Sequence, residues 1–347
     1  MARKELFYLG PEGTFTHQAA MEAADQLRPY VEDAGVGSGV DAAGDGDSGF
    51  TLTALPDVPA IIDAVQSGRG WGVIAWENNV EGYVVPNLDA LIDATDLAGF
   101  ARVGVDVAFD AFAVAGDDPL NGHGGDEPVI VSAHSHGLAQ CKRFIAEHHL
   151  KAVPASSNAA ACRDLKPGRI AFGPRICGDL YGLDTLAEHV QDFDGARTEF
   201  LVLARRDDVR DLSATFRAHG VGEFETIITF IPLVTGPGVV ANVLDILRDA
   251  GLNMTSFMSR PIKGHDGTYS FIDTLDAAPW EPRFREVLDT LATHGIWLKT
   301  LAVYPRRERP NPPVDAWMLP QGGVHLDAMR IERDWQTAAA VERELLW

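Results

Sequence analysis

Hydroxyls, amides and backbone N–H groups at the ends of apolar segments are the parts of this chain best placed to do chemistry. Gly10-Pro11-Glu12-Gly13-Thr14-Phe15-Thr16 joins an apolar segment to an alanine-rich one. This pattern suits an anion site, with helix-start N–H groups and the Thr14 and Thr16 hydroxyls as donors. It equally suits a tight turn before a capped helix. Glu77-Asn78-Asn79 follows an apolar run over 71–76. It therefore stands at the carboxyl end of a strand, where open α/β sheets bind ligands; a solvated polar turn is the alternative. His134-Ser135-His136, with Gln140, falls between a strand and a helix. Two histidines at i, i+2 with no clustered cysteines or carboxylates do not complete a metal set, so no metal is expected. His134 reads as a structural or substrate-side hydrogen-bonding residue, and Ser135 as the helix cap. Ser156-Ser157-Asn158 precedes an alanine run and suits either anion capture or plain N-capping. Thr198 opens an apolar strand, a position threonine also takes simply as a strand former.

None of these sets is a nucleotide loop or a nucleophile elbow. Together they suit a cleft for a small dianion whose chemistry needs donors rather than a cofactor.

Such groups must be held by strand ends and helix starts, and the sequence supplies both. Strands are expected over 5–9, 71–76, 103–114, 129–132 and 170–173. Helices are expected from about 15, over 58–65, from 88 and over 137–149. This alternation implies an α/β sandwich. The Gly-, Asp- and Ser-rich stretch 35–49 reads as a mobile loop. After a polar stretch over 205–222, strands over 225–232, 254–260, 268–275 and 297–304 alternate with helices over 238–251 and 281–294. Gly251 is placed to cap the first of these helices. The order βαββαβ is that of an α+β ferredoxin-like plait. The tail has one candidate helix, over 327–346.

The 347 residues carry 29 basic and 50 acidic side chains, a formal net charge of −21. That balance argues against nucleic acid and anionic membrane surfaces as partners. An anionic substrate would have to be held by local donors, because the mean field repels it. Three cysteines without a repeated spacing fit a reducing cytoplasm better than a disulfide framework. The amino terminus has too short an apolar run for a signal peptide, and no run reaches membrane-spanning length.

Taken in order, these motifs resemble the prephenate dehydratase family. The resemblance covers about 6–203 and continues into a second unit that looks like an ACT regulatory domain. Gly10 to Thr16 matches the family's opening motif. Glu77-Asn78-Asn79 stands for its Glu-Asn-Ser, Ser156-Ser157-Asn158 for its Ser-Thr-Ala, and Thr198-Glu199-Phe200 for its Thr-Arg-Phe. Gly238-Val239-Val240-Ala241 and Met258-Ser259-Arg260-Pro261 stand where relatives sense phenylalanine. The resemblance implies a two-lobed, periplasmic-binding-protein-like (type II) catalytic domain over 1–207, an ACT domain over 223–305 and a tail over 306–347. It implies prephenate as substrate, no cofactor, a homodimer or homotetramer, and L-phenylalanine as effector. Thr198 would be the proton donor. Thr14, Thr16, Glu77, Asn78, Asn79, Ser156, Ser157, Asn158 and Phe200 would surround the substrate.

Glu199 departs from the family arginine and reverses a charge. Strand alternation should turn it away from Thr198 and Phe200. Arg175, after the strand over 170–173, is a candidate to supply the missing cation, and Arg197 is a second. Met258 for glutamate removes a polar group from the sensing motif. Competing readings are a prephenate decarboxylase, an arogenate dehydratase, a non-catalytic ligand carrier and an ACT-linked sensor.

Overall fold

The apolar run Leu6-Phe7-Tyr8 is buried whole, as expected of a strand covered on both faces. It lies in β1 (Lys4–Leu9) of the computed structural model, which describes residues 4–33, 49–122, 128–306, 313–324 and 341–346. There follow α1 (Phe15–Asp33), β2 (Phe50–Leu55), α2 (Val58–Gln66), β3 (Trp71–Asn78), β4 (Gly82–Tyr83), α3 (Val85–Asp93) and β5 (Leu97–Asp106). Next come β6 (Asp110–Val114), α4 (Pro119–Gly122), β7 (Ile130–Ala133), α5 (Ser135–Gln140), α6 (Lys142–Glu147) and β8 (Lys151–Pro154). Then α7 (Asn158–Arg163), β9 (Arg169–Gly173), α8 (Ile176–Tyr181), β10 (Leu183–Ala187), β11 (Arg197–Arg205) and α9 (Arg206–Ala218) complete the first part. The second part is β12 (Phe224–Pro232), α10 (Val239–Asp249), β13 (Met254–Pro261), β14 (Tyr269–Leu275), α11 (Pro282–Thr293) and β15 (Ile296–Pro305).

Two sheets result. The larger runs β13-β14-β12-β15-β5-β11-β3-β1-β2, with β4 attached to β3. The smaller runs β10-β6-β9-β7-β8. The chain crosses between them twice, before β6 and after β10. The two crossings hold each other: Val107 N donates to Ala196 O at 2.7 Å, and Val190 N to Phe109 O at 2.8 Å. One core cluster on the larger sheet gathers α1, α9 and the side chains of Phe100, Phe200 and Val202. The opposite face packs Ile61, Leu88, Leu201 and Leu301 with α2 and α3. Residues 1–307 form one compact unit and 308–347 another.

Several expectations change. The single helix over 137–149 is two, broken at Cys141, because the Asp192 carboxylate accepts from the N–H groups of Lys142 and Arg143 and starts α6 afresh. His134, not Ser135, caps α5, its Nδ1 accepting from His136 N at 3.3 Å. The segment 103–114 is two strands in different sheets. The polar stretch 205–222 contains α9, whose Val209, Leu212 and Phe216 form one buried stripe. Strands β2, β4, β8 and β10 are additional. Gly251 sits one residue beyond the cap of α10 in the left-handed region (φ 66). The stretch 35–49 lies almost wholly outside the described residues, and so does most of 327–346, of which 341–345 are helical.

Candidate active site

A β-bulge sets the site. β11 runs antiparallel to β3, pairing Thr198 with Asn78 and Glu199 with Glu77, then Phe200 with Ala75. Trp76 is the extra residue. It resets the alternation of β3, so Asn78 shares a face with Thr198 and Glu77 shares the other with Glu199. Asn78 Nδ2 donates to Thr198 Oγ1 at 3.0 Å. The Asn78 Oδ1 accepts from Val80 N at 2.9 Å and Glu81 N at 3.0 Å, fixing the amide and its orientation. Thr198 thus receives a hydrogen bond and keeps its own O–H for a third group. Asn79 clamps the crossing strand instead: Nδ2 donates to Gly195 O at 2.8 Å, and Oδ1 accepts from Arg197 N at 2.8 Å. Phe200 lies in the core beneath Thr198, 2 % exposed.

Glu199 does turn to the opposite face, as alternation requires. Its carboxylate accepts from Arg102 Nε and Arg197 Nε, each at 2.9 Å. Burial pushes its pKa up, but the two guanidinium groups outweigh this and hold it below the usual range. Glu77, on the same face, is pushed up, chiefly by burial and partly by Glu199. Arg197 also pairs with Asp106 at 3.2 Å and lies across Gly104, where a Cβ would collide with its guanidinium. Arg197 is therefore committed to this face. Arg102 escaped sequence reasoning, although a lone charge inside an apolar strand was the available signal.

The loop after β1 docks on the layer of the smaller sheet. Tyr181 Oη donates to Glu12 O at 2.7 Å, and Cys177 Sγ to Gly13 O at 3.2 Å. Gly13 is in the left-handed region (φ 80), and a Cβ there would press on Cys177 and Tyr181. Thr14 Oγ1 accepts from His17 N at 3.2 Å and bonds back to the carbonyls of Leu9 and Pro11, so it caps α1. Thr16 is half-buried in the first turn of α1. Buried His17, also missed by sequence, stacks on Tyr8 and accepts Gly13 N at 3.1 Å through Nδ1; burial lowers its pKa.

In the smaller sheet, β7, β8 and β9 are parallel and end at one edge. From that edge rise His134, Ser156 to Asn158, and Arg175. Ser157 Oγ accepts from Ala160 N at 3.0 Å and caps α7. Asn158 Oδ1 accepts from His134 N at 2.8 Å, joining two of these strand ends. Ser156 is exposed. Arg175 is exposed too, 3.6 Å from Glu188. His136 Nδ1 lies 3.9 Å from Glu81 Oε2, so the start of α5 approaches the turn that carries Asn78.

Of the candidate effector residues, those of α10 lie on one face of the sheet, while Met258 and Arg260 turn to the other and Ser259 pairs with Phe271 on the α10 face. Gly238 (φ 83) precedes α10, whose Val239 and Val240 are half-buried and Ala241 exposed. Met258 and Arg260 face α3, and Ser259 and Pro261 are exposed. Arg260 forms a two-pronged pair with Asp89, at 3.2 Å on each prong.

Fold and site together define a two-sheet α/β protein with a hydroxyl-and-amide site at its strand ends. A family model described as prephenate dehydratase matches residues 6–208. The prephenate dehydratase of Mycolicibacterium vanbaalenii is 30% identical over 305 residues, covering 86% of this chain and 90% of that one. The crystal structure of prephenate dehydratase in complex with L-Phe from Arthrobacter aurescens aligns with a TM-score of 0.67 and 25% identity, over 90% of this chain and 93% of that one. A structure described as GqqA, a novel type of quorum quenching acylase, shares the fold with a TM-score of 0.68 and 22% identity, over 88% of this chain and 98% of that one. The chain belongs to the prephenate dehydratase family.

Proposed function

We propose that the protein converts prephenate to phenylpyruvate, water and carbon dioxide, with Thr198 as the proton donor. The ring–carboxylate bond breaks and its electron pair aromatises the ring. The carbon–oxygen bond of the ring hydroxyl breaks at the same time, and the departing oxygen takes a proton. The observation that carries this reading is the Asn78 Nδ2 to Thr198 Oγ1 bond, which leaves the threonine proton as the free donor. The hydroxyl acts without prior ionisation, through a hydrogen bond that tightens as charge develops on the leaving oxygen. In this reading Asn78, Ser156, Ser157, Asn158 and Thr16 orient the substrate's two carboxylates, and exposed Arg175 offsets their charge. Thr14 and Asn79 shape the walls, and Phe200, buried in the core, supports Thr198 from beneath rather than touching substrate.

The second part is read as an ACT-type regulatory domain that answers to L-phenylalanine. Its βαββαβ order and its strand order β13-β14-β12-β15 support that reading. A homodimer or homotetramer is supported by β13, which pairs only with β14 among the described residues and exposes Phe257. A cytoplasmic location is supported by three buried free cysteines.

The test is to mix purified protein with prephenate and follow phenylpyruvate by its absorbance in alkali, with and without L-phenylalanine. Phenylpyruvate from the native chain and almost none from Thr198→Val is the expected result. Prephenate consumed without phenylpyruvate would replace the dehydratase by a decarboxylase. No consumption would remove the reading altogether.

A further inference from the structure

A cavity of about 1170 Å³ opens where α9, α11, β5 and β15 meet, on the α9 face of the larger sheet and at the opposite end of β11 from Thr198. Arg206, Arg210, Arg217 and Arg285 line it, against Asp96, Asp207 and Asp211. An excess of cations over acids is the reverse of the chain as a whole, which has 29 basic and 50 acidic residues. Arg206 Nη2 donates to Thr300 O at 2.7 Å. Burial lowers the Arg206 pKa, and Asp96 offsets this only in part. The guanidinium of Arg217 lies 4.7 Å from the Trp280 ring centroid. Arg210 and Arg285 are exposed, and neither forms an ion pair among the described residues.

A second observation points to a ligand. Ser213 lines the same cavity, is 1 % exposed, and its Oγ has no hydrogen-bond partner among the described residues. A buried hydroxyl left unmatched is costly, and an incoming acceptor would satisfy it. The wall beside it is apolar, made by Val209, Val303 and Trp280. Cations, one buried donor and an aromatic wall together match an anion that carries a hydrophobic body.

We propose that this cavity binds a small carboxylate with an aromatic body, its charge held by the arginines and its ring laid against Trp280. The site bridges two parts of the chain. β11, which carries Thr198, runs directly into α9, whereas α11 and Trp280 belong to the second part. Beside the cavity, β5 and β15 join in parallel at Gly99 and Ala302. An occupant would tie α9 to α11 across that seam.

The experiment is calorimetric titration of the full chain with phenylacetate, and it needs no turnover, so it stands apart from the dehydratase assay. Neutral phenylacetamide and inorganic phosphate are titrated in parallel. Phenylacetate should bind more tightly than either, because it alone supplies both charge and ring. Arg210→Gln with Arg285→Gln should weaken it about tenfold or more, and Trp280→Leu should also weaken it. Thr198→Val should leave it unchanged. The Gln replacements are at exposed positions, and retention of the native circular dichroism checks their folding. No phenylacetate binding up to about 10 mM would overturn the proposal. So would equal binding of phenylacetamide, or an affinity indifferent to the Gln pair.

Discussion

Arg102 Nε lies 2.9 Å from Glu199 Oε2, and the same guanidinium reaches Glu225 Oε2 of β12 at 3.4 Å. Arg306 continues the series, 3.9 Å from Glu225 and 3.4 Å from Asp276. The strand that presents Thr198 is therefore linked through alternating charges to the second part of the chain. Glu199 is the negative member between two guanidinium groups. Placing arginine there would put three cations together in a largely buried cluster. Glu199→Arg should therefore destabilise the protein by about 3–5 kcal/mol in urea unfolding. The pKa of Glu199 is depressed in the fold, so its contribution is present above the ordinary carboxylate value and lost as pH falls through the lower folded value. Glu199→Gln should accordingly flatten the acid limb of the stability curve and leave its shape above neutrality unchanged.

Asn78 offers a sharper test of the proton donor. Asn78→Ala removes the bond to Thr198 and the turn contacts, and should lower kcat about 10- to 100-fold. Asn78→Asp keeps the acceptor for Val80 N and Glu81 N but puts a second acceptor against Thr198. The threonine proton would then turn to the aspartate. Asn78→Asp should lose more kcat than Asn78→Ala while melting closer to the native chain. The opposite ranking in steady-state assays would remove Thr198 from the donor role.

Asp273 is a buried carboxyl with both oxygens unpartnered among the described residues, between Ile228 and Phe257 on neighbouring strands. Burial pushes its pKa up to about 7. The unfolded chain ionises first, so stability is highest below the unfolded value and declines as pH rises toward 7. Asp273→Asn should raise stability at pH 8 by about 2–4 kcal/mol, and the gain should vanish toward pH 4. Thermal unfolding across that range reads it directly.

The Arg260–Asp89 pair joins β13 to α3, with both side chains about a quarter exposed or less. In a double-mutant cycle, Arg260→Ala and Asp89→Ala should show a coupling of about 0.5–2 kcal/mol in denaturant unfolding. Additive effects would mean the pair contributes nothing.

Phe216 of α9 packs edge-on against Tyr30 at 4.6 Å, in the core under the larger sheet. Phe216→Ala should cost about 3–5 kcal/mol. A chain ended at residue 208, where the family match stops, should expose this surface and fail to melt cooperatively.

By itself the sequence determined the elements whose signal is local. The buried run in β1, the turn 10–14 and the βαββαβ order of the second part follow from periodicity and from glycine placement. So does the turning of Glu199 away from Thr198, which needs only strand alternation. Polar composition hid α9, since one buried stripe on a charged helix changes the average little. Tertiary structure decided the rest, because it depends on which distant residues meet. The cap supplied by Asp192 to α6 comes from 49 residues or more away. The bulge at Trp76 sets which of Glu77 and Asn78 faces Thr198, and a bulge exists only in the pairing of two strands. Arg102 is likewise silent in sequence until β5, β11 and β12 bring Glu199 and Glu225 within reach. Charges separated along the chain become partners only when the sheet closes the distance and burial strips the water between them.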